Sequence, residues 1–130
     1  MGDGVIQYKN GTPVQSYNEK NAFKETAGGY GSGYCYIDGL AFDKNGNLWM
    51  TSSEVNHAVL VLDKAGAWHR LDIEQLRGVY TINDILITST NDKWIYVPRN
   101  TPKLVMIPNS ESLDEVSSYE FTTLIDNRRK

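Results

Sequence analysis

Residues 37–52, IDGLAFDKNGNLWMTS, align without a gap on residues 82–97, INDILITSTNDKWIYV. Ile37 falls on Ile82 and Trp49 on Trp94, each pair 45 residues apart, and the same register carries VLVL (59–62) onto LVMI (104–107). A repeat of this length constrains the fold more than composition does, because each unit must bury its faces against neighbours of its own kind. Within the unit the signals are those of strands. Apolar and β-branched runs at 37–42 and 48–52 flank DKNGN, runs at 58–62 and 68–73 flank DKAG, and runs at 82–88 and 94–97 flank STND. A looser pair follows at 104–107 and 118–124, and an earlier pair, 5–8 and 13–17, brackets Asn10-Gly11. Only 73–77 and 111–116 have a composition that suits a helical turn. Two hairpins per unit, repeated at about 45 residues, is the period of a β-propeller blade.

The chain of 130 residues is then expected to be all-β, a fragment of a β-propeller with about two and a half four-stranded antiparallel blades. The expected divisions are 1–18 (second half of one blade), 19–36 (a Gly/Tyr-rich connecting loop), 37–73 (a complete blade), 82–124 (a third, degraded blade) and 125–130 (a terminal tail). A propeller needs roughly four to eight blades to close, and an incomplete array leaves blade faces bare. Two expectations follow: the chain is a piece of a longer protein, or it self-associates through exposed blade edges. Met1-Gly2 leads straight into strand-like sequence without a charged and apolar leader, which fits a cytosolic protein or an excised piece; the repeat favours the piece.

Composition narrows the classes of function. The formal net charge is −3, which gives no electrostatic footprint for nucleic acid, and Arg128, Arg129 and Lys130 form only a short terminal cluster. No apolar run approaches membrane-span length. A single cysteine, Cys35, excludes an internal disulfide and a cysteine-based zinc site, and reads as a small half-buried residue. No cofactor and no metal site are expected.

FDKNGNLW (42–49) raises the question of calcium, since Asp43, Asn45 and Asn47 alternate. Yet Gly46 lies between the two asparagines rather than after them, and no Glu stands at the closing position. Asn45-Gly46 between apolar runs is instead a hairpin signal, both residues tolerating positive φ. STND at the equivalent place suits a turn better than a ligand set. Asn45, Gly46, Trp49, Gly66, Trp68 and Trp94 are therefore read as structural: turn residues, two tryptophans packed between blades, and Trp68 over an outer edge. His69, beside Trp68, reads as surface.

A propeller places its tight hairpin turns on one rim and its longer connections on the other. The second rim receives 18–36, 53–57, 74–81 and 99–103, and loops on a rigid scaffold carry function more often than the scaffold does. The candidate ligand-binding residues are Tyr30, Tyr34 and Tyr36 in AGGYGSGYCY, with His57 and Arg99. Tyrosines offer a flat face with a polar tip, suited to a glycan or a peptide, and glycines give the loop its freedom. His57 has no evident carboxylate partner in sequence. Arg99 can meet an anionic group. The ligand, whether a small molecule, a glycan or a protein, is not specified by these residues.

GLAFDKNGNLWMTS followed by AVLVLDKAGAWHRLDI resembles the repeats of two-component regulator propellers, found in periplasmic sensor regions of bacterial hybrid histidine kinases and in PorZ-type surface propellers of type IX secretion. The shared pattern is an apolar strand, an Asp-x-x-Gly-Asn-aromatic turn, a Trp strand, another apolar strand, then Asp-x-x-Gly-x-Trp. It covers 37–73 well and 82–107 in degraded form, and Met50-Thr51-Ser52 in place of the usual Gly-Thr favours the PorZ type over the kinase sensors. The resemblance implies a non-catalytic segment that senses or binds, in the periplasm or at the surface of a Gram-negative bacterium. Two alternatives stand beside it. One is a propeller hydrolase or lyase, since gluconolactonase-like and streptogramin-lyase-like proteins carry similar turns and hold a metal at the central channel, where Asp38, Asn83 and Asp84 would face. The other is a structural scaffold for protein contacts.

Overall fold

The structure, a computed structural model, describes residues 5–17, 37–79, 81–98 and 102–122. Among the described residues, ten strands form three antiparallel sheets. The hairpin β1 (Val5–Lys9) and β2 (Thr12–Tyr17) stands by itself as a two-stranded sheet. A four-stranded sheet runs in sequence order through β3 (Ile37–Phe42), β4 (Leu48–Ser52), β5 (Val59–Leu62) and β6 (Trp68–Leu71). A second does so through β7 (Ile85–Ile87), β8 (Lys93–Val97), β9 (Lys103–Ile107) and β10 (Tyr119–Thr122). These are two complete meandering blades preceded by the outer half of another, a β-propeller fragment.

The 45-residue register fixes the inner strands and then breaks. Phe42 pairs with Leu48, and Ile87 pairs with Lys93, the same pair one unit on. The fourth strand departs from it: β6 begins at Trp68 but β10 begins only at Tyr119, so a longer connection, 108–118, replaces the tight turn. Of the two helical turns expected, Glu74–Leu76 forms a single 3-10 turn that buries Leu76, and 111–116 is irregular.

Strand alternation sends each face of the middle blade to a different neighbour. On one side Trp49, Val59, Val61 and Leu71 meet Ile85, Ile95, Val105 and Ile107 of the last blade in a continuous buried core. On the other, Met50 and Leu60 meet Val5 and Tyr17 of the half-blade, with Tyr17 edge-on to Trp68 at 5.2 Å between ring centroids. Trp68 is thus a packing partner of the preceding hairpin. The innermost strands converge most closely. A Cβ on Gly39 would lie 2.8 Å from Asp84 Oδ1 and 3.0 Å from Ile85 N, so glycine is what lets β3 approach the start of β7.

Trp94 departs from expectation. It shares the register of Trp49, but among the described residues no further blade covers its face. It is half-buried, tilted against Phe121 at 5.5 Å, while Leu86 and Phe121 beside it are exposed. Trp49, covered by a neighbouring blade, is 1% exposed.

Candidate functional site

Turn chemistry builds the first rim. In 43–47 Gly46 donates its N–H to Asp43 O, and Asp43 N–H donates to Asn47 O. Gly46 has φ +88, whereas Asn45 keeps negative φ, so this is a three-residue loop closed by a left-handed glycine and not the two-residue turn that Asn-Gly suggests. The two-residue form occurs at Asn10-Gly11, where φ is 53 and 81. The 63–67 loop has the same backbone bonds, with Gly66 at φ 94, and 88–92 repeats them with Asn91 at φ 66 in the glycine position.

The aspartate that opens the first two loops explains the difference. Asp43 Oδ1 accepts the N–H groups of Asn45 (2.8 Å) and Asn47 (2.9 Å), and Oδ2 accepts Asn47 Nδ2 (3.0 Å) and Trp49 Nε1 (2.9 Å). Asp63 Oδ1 likewise accepts from Ala65 and Ala67, each at 2.9 Å, and Oδ2 receives His69 Nε2 at 2.9 Å. The rule is an aspartate that caps its own turn and holds the ring six residues on. Asp43 and Asn47 therefore spend their side-chain oxygens inside the protein. Asn45 contributes its backbone, and Asn47 Oδ1 accepts Lys64 N–H.

Two ties then link the blades on this rim. Lys93, 2% exposed, lies 4.6 Å above the Trp49 ring and 4.0 Å from Asp43 Oδ2, and donates to Asn91 O at 2.9 Å. Burial pulls the lysine's pKa down, against the opposing pull of Asp43 and Asp92. Burial also pushes the Asp43 carboxyl up, but the donors from Asn47, Trp49 and Asn45 outweigh it and hold the pKa below its ordinary value. The second tie is His69, which the sequence places at the surface and the structure places between two carboxylates: Nδ1 is 2.7 Å from Asp114 Oδ1, and Nε2 meets Asp63. Both neighbours are carboxylate oxygens, so both ring nitrogens donate when the ring is protonated, and the site favours the imidazolium form. Asp114 first, then Asp63, raise its pKa.

The opposite rim carries the longer connections. Ser53 Oγ donates to Asp38 Oδ2 and accepts the N–H of Ile82 at 3.0 Å, tying the end of β4 to the entry of the last blade. Burial raises the Asp38 carboxyl, opposed by the hydrogen bonds from Ser53. Asn83 and Asp84 stand exposed beside it. Among the described residues no three His, Cys, Asp or Glu side chains are gathered so as to hold a metal. His57 is half-buried, and its charge, after the Arg77 hydrogen bond, helps hold Asp72 below its ordinary pKa. It thus has a carboxylate neighbour that the sequence did not reveal. Tyr30, Tyr34, Tyr36 and Arg99 lie outside the described residues.

Sequence reasoning missed Lys93, Asp114 and the carboxylate roles of Asp43 and Asp63. The available signal was the spacing Asp43 to Trp49 and Asp63 to His69, the same interval in both turns.

Four-stranded meanders stacked face to face, with inner strands converging and a half-blade at one end, define a segment of a β-propeller. In the solved structure of PorZ, an essential bacterial surface component of the type IX secretion system of Porphyromonas gingivalis, a region superposes on this chain with a TM-score of 0.81. Identity is 18%, and the match covers 92% of this chain but 17% of PorZ, so the chain spans about a sixth of that protein and the likeness is one of fold. No family model matches the chain, and no curated protein matches it in sequence. No helix among the described residues is long and apolar enough to cross a membrane.

Proposed function

We propose that this chain is a non-catalytic propeller segment of an extracytoplasmic protein, of the PorZ type rather than a kinase sensor, that binds a glycan or a peptide through its loop rim. The observation that carries the reading is the division of labour between rims. On the turn rim Asp43, Asn47, Asp63, His69 and Asn91 are engaged in internal hydrogen bonds. On the other, the connections 53–57, 72–79 and 81–84 carry His57, Asn83 and Asp84, and Asp38 stands at the start of β3, bonded to Ser53. The fold likeness to a bacterial surface component supports a place in the periplasm or at the cell surface. The binding residues in this reading are His57 with Tyr30, Tyr34, Tyr36 and Arg99.

A glycan array and a peptide library probed with the whole chain test this. Saturable binding that weakens on His57→Ala and on Tyr34→Ala, and survives His69→Gln on the other rim, is the expected result. Binding that ignores the loop-rim substitutions, or no binding by a folded chain, overturns it.

A further inference from the structure

The tripeptide Lys-Asn-Gly occurs twice, at 9–11 and at 44–46, and each copy lies at the tip of a hairpin. Asn10 and Asn45 are both exposed. In an Asn-Gly pair the glycine nitrogen can attack the asparagine side chain, because no Cβ crowds its approach. Identical neighbours give the two copies the same intrinsic reactivity, so a difference between them comes from the fold.

The two tips are held very differently. At 44–46 every main-chain N–H is engaged: Lys44 donates to Asn91 Oδ1 (2.7 Å), Asn45 to Asp43 Oδ1 (2.8 Å) and Gly46 to Asp43 O (3.2 Å). Swinging the Gly46 nitrogen toward the Asn45 side chain therefore breaks a carboxylate-capped loop and its tie to the last blade. At 9–11 the turn has two residues in the left-handed region, φ 53 and 81. Cross-strand pairing runs from Lys9 to Thr12 and leaves the Gly11 nitrogen outside the ladder. Tyr8 to Thr12 are all exposed, so this tip opens by fraying at its end, which is the cheapest kind of local opening.

We infer that Asn10 is a self-modification site, converted through a cyclic imide to aspartyl and isoaspartyl forms, and that the loop capped by Asp43 shields Asn45 from the same reaction. When the tip opens, the Gly11 nitrogen gives its proton to solvent base and bonds to Asn10 Cγ. The Cγ–Nδ2 bond breaks, and Nδ2 takes a proton from water and leaves as ammonia. Water then opens the imide. Cleavage between the ring nitrogen and Cγ gives the aspartyl form, and cleavage at the main-chain carbonyl gives the isoaspartyl form. Water is the co-reactant throughout, and no electrons change hands. The isoaspartyl form adds a carbon to the main chain, which a two-residue turn cannot absorb. The tip of the β1–β2 hairpin then separates, while Val5 and Tyr17 at its other end keep their packing against Met50 and Leu60.

The test incubates the whole folded chain at mildly alkaline pH and follows both asparagines by peptide mapping in a mass spectrometer, with enzymatic methylation to count isoaspartyl groups. A parallel sample is held unfolded in urea. In the folded chain Asn10 is expected to convert about tenfold or more faster than Asn45, since the Asn45 loop must first give up its bonds to Asp43. In urea the two rates are expected to converge, because the tripeptide is the same. Equal rates in the folded chain, or faster conversion of Asn45, overturns the inference. So does a preference for Asn10 that persists undiminished in urea, since the fold is then not its cause.

Discussion

Removing Asp43 and removing Lys93 are expected to have very different consequences, although the two form one buried pair. Asp43 accepts four hydrogen bonds, two from the backbone of its own turn and two from Asn47 and Trp49. Lys93 stands 4.0 Å off, beyond hydrogen-bond length, so the carboxylate is already satisfied without it. Lys93 is the dependent partner: its carbonyl contact at Asn91 and the Trp49 ring do not neutralise a buried ammonium. Asp43→Ala therefore strands a charge and an indole N–H, which costs about 3–5 kcal/mol. That is a large part of the roughly 5–15 kcal/mol that holds a domain folded. Lys93→Met leaves the turn intact and fills the same space, so its cost is expected to stay within about 1 kcal/mol. In the double variant the stranded charge is gone, and about 1–3 kcal/mol of the loss is recovered. Urea unfolding followed by tryptophan fluorescence measures all four corners of the cycle. Equal costs for the two single variants, or strict additivity in the double, would refute the assignment of Asp43 as the self-sufficient partner.

Loss of the His69 proton is expected to make the chain less stable in mild alkali. Its folded pKa is raised, so the contribution is complete below the unfolded value of about 6.5 and is lost as pH rises through the higher folded value; urea midpoints across that range should fall in the parent and stay flatter in His69→Gln. Gly39→Val is expected to cost about 1–3 kcal/mol, because its Cβ meets Ile85 backbone as well as the Asp84 side chain, and a thermal melt reads it directly.

Much of the fold was legible because a blade is a local object. Strand, turn, strand and the 45-residue interval all lie along the chain, and the hairpins 37–52 and 82–97 could be laid on one another by eye. What escaped was what depends on a neighbour. Asp43 reads as turn chemistry from its own segment, and only the stacked blade brings Lys93 to it. His69 reads as surface because Asp114 comes from the connection before β10, where the repeat register fails. The same dipeptide, Asn-Gly, makes two different turns at 10–11 and 45–46; the aspartate two residues before the second, by taking two N–H groups on one oxygen, selects the longer loop. Trp94 shows the converse. It stands on β8 where Trp49 stands on β4, but burial is a property of the pair of blades, and half of its pair is not among the described residues.

The turn at 43–49 also bears on how such an array is assembled in time. All four donors to Asp43 lie within six residues of it, so the β3–β4 hairpin completes its tightest polar contacts before any distant segment arrives. Contacts this near in sequence close quickly, whereas the Lys93 contact spans a loop about fifty residues long and must wait for a second blade. Folding by growth is then the expected order, with each hairpin a nucleus and each finished blade the template on which the next condenses. A propeller built this way can lengthen by one blade without renegotiating the ones already made.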